Sequence, residues 1–166
     1  PALGIYDKDG NFSYNNLKNP VAHQGRTGLY RRIDQQLNAT AYLTLTPIEG
    51  LSIKGVYSLR HDARDLRKFK RHWEYSKFDS GKREGYHNWN WYTSQLLANY
   101  NKTFDKHTIG LLAGAEQVEY TYRYTETSRT GGGSDDLPES LNTLDASSQK
   151  NLDGGHETAR LSYFGR

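Results

Sequence analysis

The chain has 166 residues, enough for one ordinary domain by length alone. Only 34% of residues are apolar and mean hydropathy is −0.93, yet thirteen Tyr, five Phe and three Trp give it far more aromatics than disordered chains carry. No apolar run approaches the roughly 18 residues of a membrane-crossing helix, which leaves membrane-crossing strands open. Cysteine is absent, so disulfides and thiolate metal sites are excluded. The first residue is Pro1 and methionine is absent, so we expect a segment of something longer. The net charge of +3 is too weak to argue for nucleic acid. Its distribution says more. Residues 60–88 are net +4, residues 126–157 are net −5, and the stretches between are nearly neutral.

In chain order, residues 1–28 read as a loop, and Asp7-Lys8-Asp9-Gly10-Asn11 reads as a solvated turn. Its likeness to a calcium loop fails for want of the third acidic position and the closing Glu. From Leu37 to Leu45 the odd positions are Leu, Ala, Ala, Leu and Leu, and the even ones Asn, Thr, Tyr and Thr. That is the period of a strand with one apolar and one polar face. Pro47-Ile48-Glu49-Gly50 supplies a turn, and alternation resumes at Leu51, Ile53, Gly55, Tyr57 and Leu59. Residues 29–60 are therefore predicted to be a hairpin. A long basic loop is expected over 61–88. A second hairpin over 89–125 turns near Phe104-Asp105-Lys106-His107, and the run Tyr120, Tyr122, Tyr124 suggests a bulge or emergence from a packed layer. A long acidic loop follows over 126–157, and 158–166 begins another strand.

Short turns alternating with long connections are the layout of an outer-membrane barrel, with short periplasmic turns and long extracellular loops. Alternation of this kind also occurs in any antiparallel sheet with one wet face, so a soluble β-sandwich competes. Three details favour the barrel. Small residues (Ala39, Ala41, Gly55, Ala98) are common on the apolar sets, and the opposite sets are too hydrophilic for a dry core. Aromatics also gather where strands meet loops, as at Tyr30, Trp89, Trp91, Tyr92 and Phe104, like an interfacial girdle. The fold class expected is all-β, an antiparallel up-and-down meander forming part of a large transmembrane barrel.

Four pieces in sequence carry a family resemblance. They are Tyr6-Asp7-Lys8-Asp9-Gly10-Asn11-Phe12 with Asn19-Pro20-Val21-Ala22, then Leu37–Tyr42 with Thr46-Pro47-Ile48-Glu49-Gly50-Leu51-Ser52-Ile53-Lys54, then Leu97–His107 with Leu112-Ala113-Gly114-Ala115-Glu116, and finally Ala159–Arg166. Together they cover about half the chain and resemble the barrel of SusC-like (RagA-like) TonB-linked outer-membrane proteins of Bacteroidetes. The resemblance implies a barrel of about twenty-two strands around a plug. It further implies a SusD-like lipoprotein at the extracellular mouth, TonB as the energy source, lipid or lipopolysaccharide around the wall, and a glycan or oligopeptide as cargo. No stretch here matches the plug, so the chain is expected to be a section of wall that needs the rest of the barrel as partner.

No catalytic constellation is legible: GxSxG, HExxH and HxxxH spacings are absent, so no enzyme, metal or cofactor is expected. Arg67-Lys68-Phe69-Lys70-Arg71-His72-Trp73 mixes basic and aromatic residues, but five acidic residues in the same segment argue against nucleic acid. Trp73, Tyr75, Tyr86, Trp89 and Trp91 are candidates for stacking on a sugar or peptide, with interfacial anchoring the favoured role for Trp89 and Trp91. Lys54, Arg60, Gln95, Asn99 and Glu116 are expected to face the lumen and could line a solute path. The reading is a nutrient importer of the outer membrane. Its rivals are a passive porin or adhesin barrel and a soluble β-rich carbohydrate-binding module.

Overall fold

A period of two, held over many residues, demands extended backbone with one set of side chains on each side. The computed structural model describes residues 6–10, 21, 28–72, 80–131 and 140–166. Its strands are β1 (Gly28–Ile48), β2 (Leu51–Lys70), β3 (Gly81–Phe104), β4 (His107–Thr130) and β5 (Lys150–Gly165). They pair in chain order as one antiparallel meander, and β1 and β5 do not pair with each other, so the sheet is open. The strands hold 21, 20, 24, 24 and 16 residues, against about 5–6 in soluble sheets. No helix among the described residues is long and apolar enough to cross a membrane, which says nothing of strands.

Two tight turns close the hairpins. Gly50 has φ 86°, and a Cβ there would come within 2.5 Å of the Asn101 carbonyl oxygen, so the turn requires glycine. Asp105 has φ 52°, a left-handed conformation that Asp tolerates better than most residues. The Asp7–Gly10 turn forms as expected, with the Asp9 amide donating to Asp7 Oδ1 at 3.0 Å and the Gly10 amide to the Asp7 carbonyl at 3.2 Å.

The strands run further than the apolar alternation. Residues 61–70 and 81–88, read from the sequence as loop, are strand, and so are 126–130 and 150–157. β2 ends at Lys70 and β3 begins at Gly81, and β4 ends at Thr130 and β5 begins at Lys150. Beyond Leu59 on β2 and before Tyr92 on β3 both faces are polar, so the apolar signal stops while backbone pairing continues. The second connection carries two 3-10 turns, Leu141–Thr143 and Ala146–Ser148. Asp145 caps the latter: the Ser147 amide donates to Asp145 Oδ1 at 2.8 Å, and this hydrogen bonding holds the carboxyl below its ordinary pKa.

The chain divides into two compact units. The first comprises Pro1–Ile33, Asp65–Gly85 and Glu126–Leu152, and the second Asp34–Arg64, Tyr86–Thr125 and Asp153–Arg166. In the second unit, Thr40 and Ser58 hydroxyls meet at 3.0 Å between β1 and β2, and His61 meets Asn90 at 2.6 Å between β2 and β3. Asn90 donates to Thr121 at 3.1 Å, Gln95 to Glu116 at 2.6 Å, and Thr103 meets Thr108 at 3.1 Å. The last three pairs share one register, so β3 and β4 contain no bulge along that length. The tyrosine run after Gln117 is a change of surroundings on an unbroken strand.

This register aligns the apolar positions of the second unit into rows. Leu43, Gly55, Leu96, Ala115 and Tyr163 form one row across all five strands, flanked by Leu45, Ile53, Ala98 and Ala113. Leu43 is 64%, Leu96 57% and Tyr163 76% exposed. Among the described residues Ala63 and Leu144 are the buried apolar side chains. No second layer covers this face there, which is contrary to what a sandwich core needs. Tyr92 and Phe104 of the expected girdle lie on the apolar face. Tyr30, Trp89 and Trp91 take the opposite parity.

Candidate binding face

The polar face of the second unit is built from the even positions of β1, β2, β4 and β5 and the odd positions of β3. Because the strands stay in register, residues that are distant in sequence fall into cross-strand rows, the unit of sheet stabilisation. One chain of direct and diagonal contacts begins at Asp34 on β1. Its carboxylate accepts from Arg64 Nε on β2 at 2.7 Å. The Arg64 guanidinium lies over the Trp89 ring of β3, 5.1 Å from its centroid. Trp89 stacks on Tyr122 of β4 at 5.3 Å and 16°, and Tyr122 meets the His156 ring of β5 edge-on at 5.6 Å. A second chain of contacts runs beside it and ends on the same histidine. Arg60, paired with Asp62 at 2.7 Å, lies 4.7 Å from the Trp91 centroid; Trp91 contacts Tyr120 at 5.0 Å, and Tyr120 contacts His156 at 5.4 Å.

The sequence thus builds a ladder of carboxylate, guanidinium, indole, phenol and imidazole across the sheet. His87 and Tyr124 extend it along the strands, stacked at 5.6 Å, while His87 Nδ1 hydrogen-bonds the Tyr122 hydroxyl at 2.8 Å. Gly154 on β5 leaves room for the Tyr124 ring, since a Cβ there would lie 3.0 Å from it. The strand order puts Arg64 and Tyr122 on opposite sides of Trp89, and Arg60 and Tyr120 on opposite sides of Trp91. Arg64 lies over the Trp89 ring and Tyr122 stacks on it, whereas Tyr120 is tilted 42° to Trp91. The ladder also presents indole N–H, phenol O–H and imidazole nitrogen, with the carboxylates beside them. A hollow of about 470 Å³ opens between Asp34, Asp62, Arg64, Trp89, Trp91 and Tyr120.

The structure brings some of the expected residues together and separates others. Lys54, Arg60, Gln95, Asn99 and Glu116 all lie on the polar face. Lys54 sits 4.8 Å from the Tyr42 ring centroid, and Asn99 accepts from Asn101 at 3.4 Å. Glu116 is clasped between Gln95 and Arg160, the latter at 3.4 Å. Trp89 and Trp91 share this face, opposite in parity to the apolar rows. Tyr86 belongs to the opposite face. Trp73 and Tyr75 lie outside the described residues. Asp34, Asp62, Arg64, His87, His156 and the three tyrosines were missed by sequence reasoning, although their parity, continued past Arg60 and Gln117, would have found them. Among the described residues no group of three or more His, Asp or Glu is placed to hold a metal ion.

The fold has counterparts among solved structures. The chain is similar to a chain in the structure of the RagAB peptide transporter, with a TM-score of 0.81 and 20% identity over 95% of this chain and 19% of that one. It is similar to the RagAB peptide importer in the closed-closed state (0.77, 21% identity, 96% and 19%) and in the open-open state (0.75, 20%, 93% and 18%). The chain spans about a fifth of the length of those chains, and at this identity the likeness establishes the fold. No family model matches the chain, and no curated protein matches it.

Proposed function

We propose that the chain is a section of the wall of an outer-membrane β-barrel importer of bulky nutrients, of the SusC-like, TonB-dependent kind. It performs no chemistry on its cargo. The observation that carries this is the apolar face of the second unit, continuous across five strands and exposed. On β3 it runs from Tyr92 to Tyr100, about 27 Å of strand, which a tilt of about 40° converts to a height near 21 Å. The apolar band of an outer-membrane barrel is about 25 Å tall. The opposite face, with its charged and hydrogen-bonding ladder, suits a wet lumen. The two tight turns then face the periplasm, and the connections at 71–80 and 131–149 face outward. Oligopeptides are the favoured cargo, because the similar solved structures are described as peptide transporters and importers; a glycan is the second. A SusD-like lipoprotein at the mouth, and a plug and TonB coupling supplied elsewhere in the protein, complete the reading.

The test is uptake of labelled oligopeptides by cells with and without the gene, before and after collapse of the proton-motive force. Uptake that needs both gene and energy is the expected result. Gene-dependent uptake indifferent to energy would favour a passive pore, and no gene-dependent uptake of peptide or glycan would overturn the reading.

A further inference from the structure

The first unit carries the same alternation, and its polar parity is unusually basic. Arg32 of β1, Lys68 and Lys70 of β2, Arg83 of β3 and Lys150 of β5 fall on it. Among the strand residues of this unit the one carboxylate on that face is Glu126, which is buried and bonded to Arg83. The opposite parity of the same unit mixes Arg67 with Asp65 at 3.6 Å and Lys82 with Glu84 at 2.9 Å. The asymmetry therefore belongs to one face.

Register concentrates this charge. The β2–β3 ladder that sets His61 beside Asn90 sets Lys68 beside Arg83. Gly81 lies against Thr130, so Arg83 falls opposite Ser128; Thr127 donates to Asn151 at 2.9 Å, so Ser128 falls opposite Lys150. One row therefore reads Lys68, Arg83, Ser128, Lys150, with Lys70 and Arg32 in the flanking rows. Like charges on opposing positions repel, and a sheet built for stability alone avoids them. Lys68 and Lys150 are exposed and have no acidic partner among the described residues. A groove of about 470 Å³ runs between Arg83, Glu126, Ser128, Lys150 and Leu152.

We infer that this face captures acidic oligopeptides, the cation row Lys68, Arg83 and Lys150 receiving their carboxylates. The inference rests on the importer reading, since it takes the polar face to be the cargo side. Lys68 and Lys150 are three strand spacings apart, about 14 Å. That span exceeds any single carboxylate and matches about four residues of extended peptide. Arg83 gives its Nε and Nη2 to Glu126 and keeps its Nη1 edge for a ligand, between two flexible ammonium groups, and Ser128 adds a neutral donor. A face carrying the exposed Lys68 and Lys150 raises the local concentration of anionic solutes and hastens their arrival.

The test uses cells making the full-length protein and three labelled peptides of equal length, built on alternating Glu, Gln or Lys. The variant is the double substitution Lys68→Gln, Lys150→Gln, which leaves Arg83 and its buried partner Glu126 intact. Wild type is expected to take up the Glu peptide fastest at low concentration. The variant is expected to lose about tenfold on that peptide and less than about twofold on the Gln peptide, which serves as the check on folding. Raising salt from about 50 mM to about 500 mM should erase the wild-type preference. Equal uptake of Glu and Gln peptides by wild type, or a preference that survives in the variant, would overturn the inference. If wild type takes up none of the three, this inference is overturned, while the importer reading falls only if gene-dependent glycan uptake is absent as well.

Discussion

Leu96→Arg is the most direct test of which solvent meets the apolar face. Leu96 lies in the row with Leu43, Gly55, Ala115 and Tyr163, four positions from Tyr92 on one side and four from Tyr100 on the other. It therefore sits at the centre of the band, about 14 Å of strand from either edge. An arginine at the midplane of an outer-membrane barrel costs about 2–4 kcal/mol, a factor of roughly thirty to a thousand in the folding constant. In water the same substitution at a 57% exposed position would cost within about 0.5 kcal/mol. Asn99→Arg, on the polar face of the same strand, is the control and should stay within about 1 kcal/mol. The assay is urea unfolding of the full-length protein in lipid vesicles, with folded protein scored by heat-modifiable migration. Equal shifts for the two variants, or a loss below about 0.5 kcal/mol for Leu96→Arg, would refute the assignment of this face to lipid.

Trp89→Ala removes both the Arg64 contact and the Tyr122 stack and is expected to cost about 1–2.5 kcal/mol in the same assay, with Trp89→Phe recovering more than half. A null effect would mean the ladder adds nothing beyond backbone pairing. Gly114→Ala places a Cβ 2.5 Å from the Phe164 ring and 3.0 Å from Leu97, so the ring must move at a cost of about 1–3 kcal/mol. Gly55→Ala meets nothing within 4 Å and should be neutral or slightly stabilising, by up to about 1 kcal/mol. Reversal of that order in unfolding midpoints would contradict the packing of β5 on β4.

Where one face is apolar and the other polar, the strands are legible from residue order alone: Leu37–Leu45, Leu51–Leu59 and Tyr92–Tyr100 alternate, with Val56, Ser94 and Leu97 out of step. Where the apolar alternation stops, 61–70 and 81–88 read as loop although both are strand. The site divides in the same way. Lys54, Gln95, Asn99 and Glu116 could be assigned to the polar face because they interleave with apolar neighbours. Arg64, His87 and His156 were missed because their neighbours are polar. Trp89 and Trp91 show a different failure. Their parity with Gln95 was readable, but composition suggested a girdle, and parity was the better guide.

The scarcity of buried apolar side chains among the described residues bears on how a sheet of this kind can change over time. A packed interior ties each residue to the volumes of its neighbours, so most substitutions there are removed by selection. Here Ala63 and Leu144 are the buried apolar residues among those described, and the remaining positions answer to a coarser rule, apolar on one side and polar on the other. A rule that loose admits many sequences. Identity can fall to 20% while the strands still superpose at a TM-score of 0.81. Ancestry in such walls is better sought in strand order and turn geometry than in residue-by-residue agreement.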